Sequence, residues 1–271
     1  MIRKAYVDTA RGQIHYRYTT GGGSGAPLVC FHMTAGSSGA YHDLMEELDG
    51  SVPVFALDTM NYGESFRTTD TPTIPYISHG LLEAITNIGI DSFHTLGHHT
   101  GVNIQCEIAT IAPERVASLL MSGPNYATPE ENAYLIDKLV KPNPISIKGT
   151  QFIAAWSRIK DNYPFSLWAD ADVQASIMNR DTVDMLRAGE EWCWAYRAVF
   201  THDLPTVMKK TNTPKFFICG GQDLAFPFHQ KAASDYPDAA THSHPDGGVY
   251  YLESHPKDAA EAIKAFLGSL A

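Results

Sequence analysis

Short apolar runs, each about long enough for one β-strand, recur along the chain with helix-length segments between them. The runs occupy residues 27–31, 52–57, 92–96, 116–121 and 215–219. A strand that is apolar on both sides suits a position covered on both faces, as in a parallel sheet. A strand with one solvent-exposed face alternates apolar and polar residues instead. The segments at 78–88, 101–111 and 256–270 have the length of helices. This alternation predicts an α/β fold, with a mostly parallel, twisted sheet and helices on both faces.

Two parts of the chain depart from this pattern. Residues 5–7 and 14–18 show the side-chain alternation typical of paired strands, and a turn lies between them. They predict an antiparallel hairpin over residues 3–19. Residues 125–205 contain no convincing buried strand, are rich in aromatic residues and include all four tryptophans. We interpret this segment as a helical cap inserted into a core formed by residues 1–124 and 206–271. Such an insertion would lie above the carboxyl ends of the strands, where ligands bind in open α/β sheets.

Composition limits the classes of partner. The 271 residues are 44% hydrophobic and 18% charged, with a net charge of −10. The absence of a Lys/Arg cluster argues against a nucleic-acid or anionic-membrane partner, and no apolar stretch approaches the roughly 18 residues of a spanning helix. The N-terminus lacks the apolar core of a signal peptide. Four scattered cysteines without a CxxC pair favour reduced thiols in the cytoplasm. We expect a small-molecule partner and leave homo-oligomerisation open.

Five short motifs, in order along the chain, together resemble the α/β-hydrolase superfamily. Residues 31–38 (Phe-His-Met-Thr-Ala-Gly-Ser-Ser) are similar to its oxyanion loop, and residues 56–65 to its Asp-x-x-Gly-x-Gly-x-Ser turn, with Asn for the first Gly. Residues 96–101 (Leu-Gly-His-His-Thr-Gly) are similar to its nucleophile elbow, a sharp strand-to-helix turn built from small residues. Residues 218–223 end on Asp223, where the family has its acid, and residues 247–253 precede the terminal helix. The resemblance spans nearly the whole chain and implies the α/β-hydrolase fold.

Two departures from the family pattern affect the expected chemistry. His99 stands at the elbow, where the family has Ser, Cys or Asp, and Val249 stands where the last loop has the base histidine. Of the three catalytic positions, only Asp223 keeps its identity. Ser-His-Asp chemistry needs a hydroxyl, a base to take its proton and an acid to orient the base. Serine-type acyl transfer by the usual route is therefore not expected.

Three hypotheses account for His99. The site has decayed and His99 is a tolerated polar residue, or His99 is a nucleophile that forms an acyl-imidazole, or His99 is a general base or acid. We favour the third, because an imidazole moves protons near neutral pH and reaches further from the backbone than a serine hydroxyl. His99 would then meet Asp223 directly or through water, forming a His–Asp dyad.

The remaining site residues follow from the resemblance and from the aromatic composition. The family's oxyanion donors correspond to the backbone N–H groups of Thr34 and Thr100. Such donors stabilise the negative charge that develops on the substrate oxygen. An apolar pocket is expected between the cap and the catalytic His99. Its predicted walls are Met33, His98, Trp156, Trp168, Trp192, Trp194 and Val249. No ligand spacing such as HExxH is present, so no metal or cofactor is expected.

These features predict an enzyme that acts on a small apolar or aromatic carbonyl compound without a serine nucleophile. It would hydrolyse an ester, a lactone or a C–C bond, or perform a lyase, decarboxylase or isomerase step, with His99 as general base or acid. The alternative is a catalytically inactive ligand-binding protein that keeps the cavity. A binding protein would tolerate His99→Ala with its ligand affinity intact and would show no turnover in either form.

Overall fold

A computed structural model describes residues 1–21, 25–162 and 171–270. Within these ranges the chain forms one eight-stranded sheet in the order β1-β2-β4-β3-β5-β6-β7-β8. The strands are β1 (Ile2–Thr9), β2 (Gly12–Thr19), β3 (Leu28–Phe31), β4 (Val54–Leu57), β5 (Phe93–His98), β6 (Val116–Ser122), β7 (Lys215–Gly220) and β8 (Ala240–His244). Strand β2 pairs antiparallel with both β1 and β4, and every pairing among β3 to β8 is parallel. The predicted mostly parallel sheet and N-terminal hairpin are confirmed.

The helices fill the connections between the strands. They are α1 (His42–Leu48), α2 (Ile74–Ile88), α3 (Thr100–Ile111), α4 (Pro129–Leu139), α5 (Thr150–Asn162), α6 (Ala171–Ala188), α7 (Trp194–Phe200), α8 (Leu204–Met208), α9 (Phe226–Asp235), α10 (Tyr251–Ser254) and α11 (Pro256–Gly268). Helix α2 begins four residues before the predicted start at 78, because the Thr73 hydroxyl accepts the Tyr76 N–H and caps the helix. Its end at Gly89, with φ of 90°, is a left-handed glycine cap.

The apolar strands contribute side chains to both faces of the sheet. In β3, Val29 and Phe31 join a core cluster with α2 and α3, whereas Leu28 and Cys30 join a second cluster with α1 and α11. Successive side chains of a strand point to opposite faces, so a strand must be apolar throughout when helices cover both. This packing confirms the predicted helices on both faces.

Helices α4 to α8 lie between β6 and β7, where the sequence predicts the inserted cap. Residues of α5 and α6, such as Ile159 and Met185, form a third cluster with Met33 and Val249 from loops that follow strands of the sheet. Helix α8 and the second half of α7 instead contribute to the main core cluster of α2 and α3, whereas Ala195 at the start of α7 belongs to the third cluster. The predicted boundary between 205 and 206 falls inside α8, because its apolar residues pack against the core rather than with the insertion. The division of the chain into a core and a helical cap over residues 125–205 stays a prediction.

A buried charge cluster attaches α6 to the loops below it. Arg180 donates through Nε and Nη2 to the two carboxylate oxygens of Glu253, at 3.0 and 2.6 Å. Its Nη1 donates to Asp181 and Asp184, both at 3.2 Å. The Ser37 hydroxyl also donates to Asp184, at 2.8 Å. The Arg180 guanidinium therefore connects α6 to α10, and the Asp184 carboxylate connects α6 to the loop that follows β3.

None of the described helices combines the length and the apolar character that crossing a bilayer requires. All four cysteines are buried and free of disulfides, as the sequence predicted.

Candidate active site

The candidate site is built around His99, in the turn between β5 and α3. Its backbone has φ of 47° and ψ of −103°, a sparsely populated conformation that costs on the order of 1–3 kcal/mol for a non-glycine residue. Two hydrogen bonds hold it there: the His99 N–H donates to the Ser122 carbonyl at 2.8 Å, and the Val102 N–H donates to the His99 carbonyl at 2.9 Å. The strained turn lifts the side chain of His99 above the ends of the strands.

The glycines on either side of His99 make this turn sterically feasible. A Cβ on Gly101 would lie 1.9 Å from the Phe31 carbonyl oxygen, and a Cβ on Gly97 would lie 2.5 Å from the backbone of Gly101. Both distances are far below van der Waals contact, and the opposing atoms are backbone that cannot move aside. The Gly-x-x-x-Gly spacing that carried the family resemblance thus reflects close contact between α3 and strands β3 and β5.

His99 and Asp223 form a direct hydrogen bond. The distance from Nε2 to Oδ2 is 2.8 Å, across 124 residues of sequence. The Asp223 side chain is 1% exposed and that of His99 is 19% exposed, so the carboxylate is buried while the imidazole ring remains accessible. Burial raises the pKa of Asp223, but the adjacent imidazole and the Ala225 N–H outweigh this effect and leave the pKa below its usual value. An ionised carboxylate only accepts hydrogen bonds, so the Nε2–H tautomer of His99 is favoured and Nδ1 keeps its lone pair.

Among the residues that sequence reasoning missed is Gly123, which follows β6 and adjoins the His99–Asp223 pair. Its φ is 61°, and a Cβ there would lie 2.5 Å from Nε2 of His99 and 3.1 Å from Oδ2 of Asp223. The space taken by the His99 ring is therefore available only because residue 123 has no side chain. The Gly-Pro pair at 123–124 directly after an apolar strand indicated a turn, but nothing local indicated that the turn faces His99.

Gly123→Ala is expected to displace the His99 ring from Asp223, because the added Cβ would lie only 2.5 Å from Nε2. If turnover depends on this contact, kcat should fall by about 10²-fold. Gly89→Ala is the matched control: its φ of 90° is also left-handed, but a Cβ there meets no atom within 4 Å. Both variants should lose about 1 kcal/mol of unfolding free energy, measured by urea titration. Unchanged kcat in Gly123→Ala would contradict a role for the His99–Asp223 contact in turnover.

His98 is buried against His99 and does not line the cavity. Its ring meets the His99 ring edge-on, with centroids 4.6 Å apart. Burial, with the neighbouring His99, lowers the pKa of His98 to about 3, so this ring is neutral at physiological pH. The ligand atoms of His98, His99 and Asp223 lie within 4.8 Å of one another and form a two-nitrogen, one-oxygen set that a cation could use. The sequence-based expectation of no metal therefore stays a prediction, which a chelator tests.

The two predicted oxyanion residues are close together. The hydroxyls of Thr34 and Thr100 are hydrogen-bonded at 2.7 Å, although 66 residues separate them. Within the described ranges neither backbone N–H donates a hydrogen bond to protein. Thr100 lines the cavity beside His99, and Thr34 lines a narrow recess that shares Arg158 and Tyr196 with that cavity. The oxyanion role of the two N–H groups stays a prediction.

A cavity of about 280 Å³ lies beside His99. Its apolar wall comes mainly from helices α4, α7 and α9 and the segment before α9, and consists of Leu135, Leu139, Val199, Phe200, Leu224 and Phe228. Val249, a predicted wall residue, also lines it. Asn125, Lys138 and Arg158 add polar groups. The cavity combines an apolar wall with few polar groups, as small-molecule sites usually do.

The other predicted wall residues lie elsewhere, and the assignment of the aromatic wall is corrected. Trp156 is 42% exposed, because its neighbours Ala155 and Ile159 form the buried face of α5. Trp192 is buried, donates its indole N–H to the Lys141 carbonyl and lines the narrow recess instead. Trp194 is half-buried at the start of α7. Met33 is packed in the third cluster. Trp168 lies outside the described residues.

Sequence comparison finds relatives over part of the chain. No protein-family model matches. The dihydrolipoyllysine-residue acetyltransferase component of the acetoin cleaving system from Pseudomonas putida is 30% identical over 108 residues, 40% of this chain and 29% of that protein. A putative non-heme haloperoxidase of Mycobacterium phage D29 is 31% identical over 100 residues, 36% of each. A putative carbamate hydrolase RutD of Azorhizobium caulinodans is 29% identical over 97 residues, 36% of this chain and 37% of the relative. These matches span only about a third of each relative's length.

Comparison with solved structures covers nearly the whole chain. A hydrolase from Pseudomonas aeruginosa PA01 superimposes with a TM-score of 0.78 at 17% identity, covering 98% of both chains. A thermophilic esterase from Thermogutta terrifontis gives 0.77 at 16% identity over 99% of both. The enol-lactonase from Burkholderia xenovorans LB400 gives 0.73 at 16% identity, over 98% of this chain and 99% of that one. At such low identity these likenesses establish architecture alone, and the architecture of this chain is the α/β-hydrolase fold.

Proposed function

We propose that the protein is an enzyme that hydrolyses a small ester or lactone with an apolar skeleton, using His99 as the general base in place of a serine nucleophile. The observation that carries the proposal is the 2.8 Å bond from Nε2 of His99 to Asp223, with the same ring lining an apolar cavity. A catalytic base needs an oriented ring, a free nitrogen and access to substrate. The hydrolase and esterase names of the relatives and structural neighbours favour the same reaction class.

In the proposed reaction, Nδ1 of His99 removes a proton from a water molecule as that water attacks the substrate carbonyl carbon. The carbonyl π bond opens, and the negative charge on its oxygen is held by the N–H groups of Thr34 and Thr100, an interaction that often contributes about 3 kcal/mol. When the tetrahedral intermediate collapses, the bond to the leaving oxygen breaks and that oxygen takes the proton from the His99 imidazolium. Asp223 stabilises the imidazolium between the two steps and keeps the ring oriented.

The experiment that tests this proposal measures rapid-mixing kinetics with p-nitrophenyl esters of short fatty acids and with an aromatic lactone. Water attack assisted by a base gives linear product release without a burst, slower turnover in D₂O, and no acylated protein by intact mass spectrometry after acid quenching. A stoichiometric burst with an acetylated His99 would show nucleophilic catalysis instead. Full activity after dialysis against EDTA is expected, and loss of activity would indicate a metal at His98, His99 and Asp223.

The competing hypothesis, an inactive ligand-binding protein, predicts a different pattern. Wild type and His99→Ala would then hydrolyse no ester or lactone faster than buffer. Ligands would still bind to both, because the cavity wall is largely independent of His99. Such a result would overturn the proposed function and leave the cavity as a binding site.

A further inference from the structure

The charged groups that line the cavity beside His99 are both cationic. Lys138 comes from α4 and Arg158 from α5, and no Asp or Glu lines this cavity among the described residues. The protein as a whole has a net charge of −10. The charged side chains that line the cavity are therefore opposite in sign to the net charge of the protein. Opposite local charge in an apolar pocket favours an anionic ligand.

Arg158 is half-buried and has no carboxylate partner within the described ranges. Its guanidinium lies 4.3 Å above the ring of Trp192, a cation–π contact that fixes the group without using its N–H donors. Asp181 lines the same narrow recess as Arg158, but Arg180 and the Tyr250 hydroxyl already bind its two oxygens. Among the residues that the structure describes, none accepts a hydrogen bond from Arg158, so its donors can bind a ligand.

Comparison with Arg180 shows how unusual this arrangement is. Both arginines belong to helices of the insertion, but Arg180 contacts three carboxylates. A guanidinium offers five donors in a planar fork that matches a carboxylate. Arg158 is oriented and partly desolvated, and among the described residues no carboxylate binds it. This is the arrangement expected where a ligand supplies the carboxylate.

Lys138 extends the positive charge outward. It is exposed, and its ammonium lies 5.8 Å from the ring of Tyr134. An exposed cation is strongly screened by salt and steers ligands more than it holds them. Arg158 thus supplies the anchor, and Lys138 attracts the anion toward it.

We propose that the substrate of this site carries a carboxylate on its apolar skeleton, and that Arg158 binds this carboxylate while the ester or lactone carbonyl faces His99. The inference rests on the proposed function for the reaction, but the anion site itself is independent of turnover. Arg158 is then a specificity-determining residue.

The test compares two substrates of equal chain length, mono-p-nitrophenyl glutarate, which ends in a carboxylate, and p-nitrophenyl pentanoate, which ends in a methyl group. Wild type should prefer the glutarate in kcat/KM by about 10- to 100-fold, the range expected for a charge-assisted bidentate contact. Arg158→Gln should abolish this preference by lowering kcat/KM for the glutarate far more than for the pentanoate. Lys160→Gln, which removes one exposed charge from the same helix outside the cavity, should keep it. Lys138→Gln should weaken the preference mainly at low salt.

A binding measurement separates this inference from the proposed reaction. Calorimetry with 4-phenylbutyrate and its amide should show tighter binding of the carboxylate to wild type and to His99→Ala, and no difference with Arg158→Gln. Arg158→Lys, which keeps the charge but loses the fork, should show an intermediate preference and serves if the Gln variant fails to fold. Equal affinity for acid and amide, or a preference that survives Arg158→Gln, overturns the anion site. Selective binding without hydrolysis of either ester would overturn only the proposed function.

Discussion

His99→Ala is expected to lower kcat/KM by about 10²- to 10⁴-fold, the usual contribution of a positioned general base. The variant removes the group that accepts the proton from water and leaves Asp223 without its partner at 2.8 Å. Ligand affinity should remain near the wild-type value, because the apolar wall of the cavity is unchanged. Added imidazole should restore part of the rate by occupying the space of the missing ring. The measurement is steady-state hydrolysis, with calorimetry for binding.

Two further variants make this result specific. His79→Ala is the control, since His79 is exposed on α2 and outside the cavity, and its activity should equal that of wild type. Asp223→Asn should keep ligand binding and lower kcat strongly, because an amide neither stabilises the imidazolium nor enforces the Nε2–H tautomer. Wild-type turnover in His99→Ala would refute the dyad mechanism.

Arg180→Met is expected to reduce the free energy of unfolding by about 3 kcal/mol. Removing one member of a buried ion pair typically costs about 3–5 kcal/mol, and the lower end applies because the Arg180 side chain keeps 20% of its surface exposed. Arg187→Met is the matched control on the same helix: its ion pair with Glu64 is solvent-exposed on both sides, so it should cost about 0–1 kcal/mol. Urea unfolding measures both. Equal losses would show that the Arg180 cluster contributes no more than a surface pair.

The same cluster gives the protein a pH dependence. Burial raises the pKa of Glu253 from 4.5 to about 8 even though Arg180 opposes this effect, since one guanidinium cannot neutralise three carboxylates. Between those two values the folded protein holds a proton that the unfolded chain has released, so stability falls as pH rises through this window. His98 changes stability in the opposite direction, because its pKa is lowered to about 3 in the folded protein. Its contribution to the free energy of unfolding is lost as pH falls below 6.5.

The free energy of unfolding should therefore decline between about pH 6.5 and pH 8. In this range His98 is neutral in both the folded and the unfolded state and no longer changes stability with pH. Glu253→Gln removes the titrating proton and should flatten this decline. Urea titrations at several pH values would measure it, and a slope that persists in Glu253→Gln would assign the effect to another group.

The sequence by itself determined the sheet and the position of the elbow. Strand β3 is apolar along its whole length, and β7 is apolar after Lys215, because helices cover both faces of the sheet; this pattern is visible in the local sequence. The elbow was equally visible, since the glycines at 97 and 101 are needed wherever α3 approaches β3 this closely. The ends of elements were less accurate, as at α2, where a threonine cap extends the helix beyond its apolar pattern.

Tertiary structure alone decided which residues surround His99. Gly123 makes room for the imidazole, Arg158 of α5 lines the cavity, and Trp156 lies on the exposed side of the same helix. Composition indicated an aromatic segment but not the direction of each side chain, because the phase of a helix is fixed by what it packs against. Contacts such as that between His99 and Asp223 join residues more than a hundred positions apart. Their geometry depends on the order of strands in the sheet, which no local pattern specifies.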